Sequence, residues 1–280
     1  MTYNLEDWFV PMLTKKPRTT SAQSGMGWSR DRSMKQASFR FYAELNDFIE
    51  DICQYKRCQH RFRGQPGIKD VIEALGPPHT EIDLILVNDK PVGFDYALQD
   101  GDRVTVYPRF RSLEISSLCS VGPPTLTATR FVLDMHLGRL AAYLRMLGFD
   151  SLYWNEASDQ RLAQVSHNQK RILLTRDRGL LKRNLVTYGY CIRQNSPRDQ
   201  LKEVLDHFDL AGDIQPFRRC MRCNGVLEAV DKDAILAQLP ERVRGRYERF
   251  RTCPQCGRVY WRGSHFERMQ RLIDSVLEGT

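Results

Sequence analysis

Two short cysteine pairs, Cys220-Met-Arg-Cys223 and Cys253-Pro-Gln-Cys256, stand about thirty residues apart, a spacing at which four thiolates close a tetrahedral zinc site. A glycine follows each pair, Gly225 and Gly257, and suits a tight knuckle in which backbone N–H groups turn toward sulfur. Either pair alone could be a thioredoxin-like redox site, but two copies outside any strand-to-helix setting read as a zinc ribbon. Four thiolates leave no open coordination position, so this zinc is expected to hold the fold, contributing on the order of 10 kcal/mol of apparent folding energy, and not to activate water.

A second kind of chemistry lies upstream, in carboxylates. Asp134 closes an apolar run, Glu156 and Asp159 follow the next, and Asp177 follows a third in Thr175-Arg176-Asp177-Arg178-Gly179. If these runs are parallel strands, all four acids share the carboxyl edge of the sheet, where open α/β sheets bind ligands. Acids gathered there repel one another, and Mg²⁺ or Mn²⁺ relieves that repulsion while keeping waters for phosphate chemistry, so the expectation is a phosphodiesterase site. Taken singly, helix capping is the plainer explanation for Asp159, after Ser158, and for Asp177, and a plain loop for Glu156, but the shared edge reverses that reading for Asp134 and Asp177. Asp150 precedes its strand and falls at the opposite edge, where a turn or solvent role is expected. His136, Arg139 and Arg176 lie near the acidic edge and suit phosphate.

The elements that would position these groups are legible as alternating signals. From residue 127 to 215 the expectation is a mostly parallel, helix-covered sheet: strands at 130–133, 151–154, 171–174 and 186–192, with helices at 136–147, 159–168 and after Pro197. Ahead of it, Phe39, Phe41, Ala43 and Leu45 alternate as a half-buried strand. Ile68, Val71, Ile72 and Leu75 recur at helical spacing before Gly76-Pro77-Pro78, and strands follow at 84–87 and 104–107, around the turns at Asn88-Asp89 and Asp100-Gly101-Asp102. Two strands, a helix and further strands over 38–111 make a small β-grasp. Residues 1–37 read as a flexible basic arm, docked if at all through Trp8 and Phe9. Residues 112–126 read as a linker, 216–265 as the zinc ribbon and 266–280 as a C-terminal helix.

The chain has 280 residues, 41% of them hydrophobic, enough for two or three domains with cores. No stretch reaches membrane-spanning length and the N-terminus lacks the form of a signal peptide, so a cytoplasmic protein with Cys53, Cys58, Cys119 and Cys191 as reduced thiols is expected. The formal charge of +8 falls to about +6 once four thiolates hold a divalent ion, and still favours a polyanionic partner. Arg218, Arg219 and Arg222 crowd the first knuckle, and Arg242, Arg244, Arg246, Arg249 and Arg251 lead into the second.

The run Phe131-Val132-Leu133-Asp134, the stretch Leu137 to Asp150 and the run Arg171 to Asp177, closed by the cysteine pairs, together resemble the Mut-seven-C RNase family, whose domain is PIN-like and carries an appended ribbon. The segment closing Gly101-Asp102-Arg103-Val104-Thr105-Val106-Tyr107-Pro108 resembles the ubiquitin-like domain found in front of many bacterial members. The resemblance covers most of residues 38–265. It implies Asp134 and Asp177 as metal-binding acids with Asp159 as third and Glu156 as a weaker candidate, Mg²⁺ or Mn²⁺ as catalytic metal, and products bearing a 5′-phosphate. The fuller acidic set of PIN nucleases is not obvious, since the fourth strand's exit offers Asn195 and Asp199. A free Gly-Gly terminus is missing from the ubiquitin-like segment, which argues against sulfur-carrier chemistry.

The resulting expectation is a metal-dependent ribonuclease, endo- or exonucleolytic. Arg139, Arg176, Arg218, Arg222, Arg249 and Arg251 would bind RNA, with the ribbon gripping it beside the acidic sheet edge and Tyr247, Phe250, Tyr260 or Trp261 stacking on bases. The β-grasp domain would recruit RNA or a protein partner through Lys56, Arg57, His60, Arg61 and Arg63. The alternative is a non-catalytic RNA-binding adaptor of the same shape.

Overall fold

The computed structural model describes residues 34–109, 121–124 and 126–277. Its first unit is a five-stranded mixed sheet. β1 (Lys35–Phe41) and β2 (Cys58–Phe62) form the first hairpin, α1 (Ile68–Leu75) crosses over, and β3 (Ile82–Val87), β4 (Lys90–Val92) and β5 (Arg103–Pro108) complete the order β2-β1-β5-β3-β4. The central pair, β1 and β5, runs parallel, as a β-grasp requires. Alternation drives β1: Ala37, Phe39 and Phe41 turn into the core while their neighbours face out. Asn88 and Asp89 both take positive φ, 50° and 67°, the geometry of a tight two-residue hairpin between β3 and β4. Gly76 ends α1 at φ 141°, where a Cβ would run into the Phe48 carbonyl oxygen.

β1 begins at Lys35, so the last residues of the expected arm belong to the sheet; the rest of the arm, with Trp8 and Phe9, lies outside the described residues. The same holds for residues 110–111 at the end of the expected β-grasp and for 112–120 and 125 of the expected linker, Cys119 among them. The reduced-thiol expectation fails at one pair: Cys53 and Cys58 are joined in a disulfide that closes the loop into β2.

The second unit is an all-parallel sheet of order β7-β6-β8-β9, from β6 (Arg130–Leu133), β7 (Asp150–Tyr153), β8 (Ile172–Thr175) and β9 (Gly189–Cys191). Its helices are α2 (Gly138–Met146), α3 (Asp159–Gln169), α4 (Arg178–Leu181) and α5 (Pro197–Phe208). Burial on both faces explains the unbroken apolar strands. Phe131, Leu133, Ile172 and Leu174 point to the face covered by α2 and α5, whereas Val132 and Leu173 point to the face carrying Leu162 and Ala163 of α3 and Leu180 and Leu181 of α4.

That second face does not close on itself. Its apolar side chains run on into the β-grasp core, so the two units share one hydrophobic cluster. Polar groups fix the joint. Arg193, just past β9, donates to Glu81 (3.2 Å) and Asp47 (3.1 Å) and lies over the Phe48 ring, while Glu81 also accepts from the Cys191 N–H at 2.6 Å. His79 bridges Glu73 and the Val186 carbonyl, and Arg178 donates to the Asp47 and Phe48 carbonyls.

The last unit is a three-stranded antiparallel sheet, β10 (Glu228–Val230), β11 (Phe250–Thr252) and β12 (Val259–Trp261), with α6 (Lys232–Ile235) and α7 (Glu241–Arg244) between its first two strands. α8 (Ser264–Leu277) then returns Leu272 and Ile273 to the cluster beneath α2 and α5.

Candidate active site and zinc centre

β6 feeds α2 on one face of the parallel sheet and β8 feeds α4 on the other, so adjacent strands send their chains in opposite directions between β6 and β8. Such a switch point opens a crevice at the carboxyl ends of the strands. Asp134 ends β6 there and Asp177 follows β8. The two are linked by one side chain: the buried Thr175 hydroxyl donates to Asp134 Oδ2 at 2.8 Å and accepts the Asp177 N–H at 2.9 Å. Asp177 Oδ1 also accepts the Gly179 N–H at 2.7 Å and caps α4, so the capping reading holds beside the proposed one.

Asp159 and Glu156 are not drawn into this crevice by any polar contact. Asp159 opens α3 behind its cap, Ser158, is exposed, and faces Arg183 at 3.6 Å. Glu156 sits exposed in the loop after β7. Asp199 is occupied in the first turn of α5, where Ser196 donates to it at 2.6 Å. Among the described residues, the four cysteines are the one group of three or more His, Cys, Asp or Glu whose donor atoms lie within 4.8 Å of one another.

Beside the acids runs an open, polar groove lined by His136, Arg139, Tyr153, Asn155, Arg176 and Asn195. Arg176 is set by a 2.8 Å bond to Asn195, and Tyr153 by one of 2.9 Å to the Met135 carbonyl. A Cβ on Gly138 would meet the Tyr153 hydroxyl at 2.7 Å, so glycine there lets Tyr153 lie across the start of α2. His136, Arg139 and Arg176, chosen from sequence as phosphate ligands, thus line one groove.

The four cysteines come together as their spacing implies. Cys220 Sγ lies 3.6 Å from Cys256 Sγ, and Cys223 Sγ lies 3.3 Å from Cys253 Sγ. All-sulfur donors at such mutual distances fit a structural zinc. The glycines act differently from one another. Gly257 takes the left-handed turn at φ 69°, but in the first knuckle Asn224 does so at φ 73°, and Gly225 instead lets the chain pass Cys253, whose Sγ a Cβ would meet at 2.9 Å. Burial opposes ionisation of Cys220, yet the Tyr260 hydroxyl at 3.1 Å and the knuckle N–H groups bring this thiol down to about 6. Cys223, half-buried beside the other sulfurs, is pushed up to about 12 by desolvation and its sulfur neighbours, so metal loading must displace protons.

The ribbon does not sit beside the acidic edge, contrary to expectation. Asp150, at the amino end of β7, is the reason. It pairs with both Arg171 nitrogens (2.7 and 3.2 Å), accepts from Asn224 of the first knuckle at 2.7 Å and faces Arg219 at 3.6 Å. Burial acts against the Asp150 charge, but these donors outweigh it and hold the carboxyl below its ordinary range. Arg145, buried at the end of α2, donates to the carbonyls of Met221 (3.1 Å) and Arg222 (2.9 Å), and Asn224 accepts the Ser151 N–H at 2.9 Å. Asp150 therefore docks the knuckle and has no turn or solvent role. Strands of four residues put roughly 13 Å between this edge and the acids.

Of the arginines expected to bind RNA on the ribbon, Arg218 and Arg222 are exposed at the knuckle. Arg249 and Arg251 line an open groove with Phe217, Tyr260, Trp261 and Phe266. Tyr247 and Phe250 pack instead with Ile235, Leu239 and Val243 in the ribbon's own core. No helix among the described residues is long and apolar enough to cross a membrane.

Two family models match the chain: the Mut7-C RNAse domain over residues 129–273 and Mut7-C ubiquitin over residues 34–114. No curated protein and no solved structure matches it.

Proposed function

Because the chain belongs to the Mut7-C RNAse domain family, carrying the family's ubiquitin-like domain in front, we propose that it is a metal-dependent ribonuclease acting at the carboxyl ends of β6 and β8. The observation that carries this reading is the pair Asp134 and Asp177, held on one buried hydroxyl at the switch point and flanked by a cationic groove. Few, hard oxygen donors fit Mg²⁺ or Mn²⁺, which bind through one or two carboxylates and retain waters. Bound by Asp134 and Asp177, such an ion would polarise a phosphoryl oxygen and make its water acidic enough to supply the nucleophile. Thr175 holds the Asp134 carboxylate and the Asp177 backbone N–H, and the Gly179 N–H sets the Asp177 carboxylate. Arg139 and Arg176 hold the scissile phosphate and neutralise charge building on it, and His136 contributes a further donor. Asp159 and Glu156 are assigned to the rim, where they steer incoming metal.

In this reading the ribbon binds RNA away from the cut. Its exposed Arg218, Arg222, Arg249 and Arg251 take the backbone about 13 Å or more from the scissile bond, with Tyr260 and Trp261 available for stacking. A cytoplasmic setting remains part of the proposal, and the Cys53–Cys58 disulfide is the observation against it.

A second reading, an RNA-binding adaptor without turnover, is favoured by the lack of a three-carboxylate cluster among the described residues. The two separate on labelled single-stranded RNA with Mn²⁺ and zinc-replete protein. The ribonuclease cuts, and Asp134→Asn with Asp177→Asn slows cutting by at least about 10³-fold, the rate equivalent of about 4 kcal/mol. Binding without cutting, or cutting unchanged by the double substitution, refutes the nuclease.

A further inference from the structure

The outer face of the β-grasp sheet carries arginines that the candidate active site does not use. Cross-strand register puts Gln36 opposite Arg61, Ser38 opposite Arg103 and Arg40 opposite Thr105, all on the face turned away from Ala37, Phe39 and Phe41. Arg40, Arg61 and Arg103 are exposed there, and exposed Arg57 reaches across from the disulfide-closed loop to donate to the Val104 carbonyl (3.2 Å) and the Thr105 hydroxyl (3.4 Å). Tyr42 and Tyr107 stack at 4.6 Å between centroids, with the Arg40 guanidinium 4.9 Å from the Tyr42 ring. His60, which sequence reading grouped with these cations, instead faces inward between Phe39 and Phe62.

Partial burial and then repulsion from Arg103 and Arg40 lower the Arg57 pKa, so these cations feel one another across the sheet. Two acids border the face: Asp89, paired with Arg103, and Asp100, which accepts the Gln36 N–H at 2.8 Å, so the four arginines still exceed them. Like charges held together on a folded surface favour a polyanion, which gains both attraction and counterion release on binding. Among the described residues, apart from Met34 at its margin, the face carries none of the exposed aliphatic side chains on which a protein interface centres; Ile52 and Tyr55 belong to the loop before β2.

We propose that this face is a second nucleic-acid-binding surface, on which Arg40, Arg57, Arg61 and Arg103 hold the phosphate backbone of an RNA single strand leading to the candidate active site. The identity of the anion as RNA rests on the ribonuclease reading; the surface itself does not. Tyr42 leads directly into the 3₁₀ segment Ala43–Phe48, about 12 Å long at ~2 Å per residue, whose Asp47 and Phe48 carbonyls hold Arg178 next to Asp177. The same strand can therefore touch both places.

The test uses the full, zinc-replete chain and a fluorescent single-stranded RNA of about twenty nucleotides, without Mg²⁺ or Mn²⁺, by anisotropy over a salt series. Arg40→Ser, Arg61→Ser and Arg103→Ser together leave Arg57 and its backbone bonds in place. Affinity is expected to fall at least tenfold at 0.1 M salt, and the slope of log K against log salt to shrink by about 2, near 0.7 per lost phosphate contact on a single strand. Unchanged circular dichroism confirms folding. Affinity within twofold of wild type, an unchanged slope, or tighter binding of poly-glutamate than of RNA overturns the proposal. Slope-dependent binding by a protein that never cuts RNA leaves this surface standing and removes the nuclease; cutting with normal binding by the triple variant does the reverse.

Discussion

Arg193→Met strikes the joint between the β-grasp and parallel-sheet units. Glu81 is almost fully buried, its side chain 2% exposed, and Arg193 is its one cationic partner among the described residues, at 3.2 Å. Burial pushes the Glu81 carboxyl up to about 7 against the pull of Arg193 and the Cys191 N–H. Removing the guanidinium leaves a buried carboxylate uncompensated, at a cost of about 3–5 kcal/mol. It also raises the Glu81 pKa further, so the variant escapes part of the cost by taking up a proton. The sign follows: the deficit against wild type is greatest near pH 8 and shrinks toward pH 5.5, where Glu81 is protonated in both proteins. In wild type, Glu81 itself makes stability decline from about pH 4.5, its ordinary value, to about pH 7, because over that window the folded state binds the extra proton. Urea melts of zinc-replete protein at pH 5.5 and 8, followed by tryptophan fluorescence, measure both effects. Adding Glu81→Gln to Arg193→Met restores much of the loss at pH 8, since a neutral amide oxygen still accepts the Cys191 N–H. A deficit under about 0.5 kcal/mol, or one that is the same at both pH values, refutes a joint built on this pair.

Three other perturbations probe the remaining sites. Thr175→Val keeps the shape but removes the hydroxyl shared by Asp134 and Asp177; Mn²⁺ affinity by calorimetry is expected to fall about 10–100-fold with the fold intact. Asp150→Ala strands Arg171, 7% exposed, and frees the knuckle from β7, so stability should drop by about 3–5 kcal/mol while zinc content by mass spectrometry stays at one per chain. Gly225→Ala brings a methyl against Cys253 Sγ, and zinc affinity in a chelator competition should fall tenfold or more with Asn224 still in its turn.

What the sequence discloses and what it conceals divide along a physical line. Local patterns carry the β-grasp: Phe39 and Phe41 alternate, Asn88-Asp89 accepts positive φ, and Gly76 stops α1, each an interaction within a few residues. The same holds for the cysteine knuckles and for Asp134 and Asp177, whose edge follows from strand direction alone. Contacts between distant segments are not periodic and leave no such mark. Glu81 and Arg193 meet across 112 positions, and Asp150 and Asn224 across 74, so neither the shared core nor the docking of the ribbon at the far edge was readable. His60 sits among arginines in the chain, yet strand alternation turns it inward while Arg61 points out. Thr175 reads as one more β-branched residue of a buried strand; only its hydroxyl, between two acids, gives it a role.

The central claim is that Asp134 and Asp177 hold one divalent cation at the end of the parallel sheet. Crystals of the zinc-replete protein soaked in Mn²⁺, with anomalous maps recorded on either side of the manganese edge, test it directly. The account predicts a manganese peak bridging those two carboxylates and its loss in Asp134→Asn. A manganese-free crevice at saturating concentration, or a peak bound by other residues in protein that still cuts RNA, contradicts it.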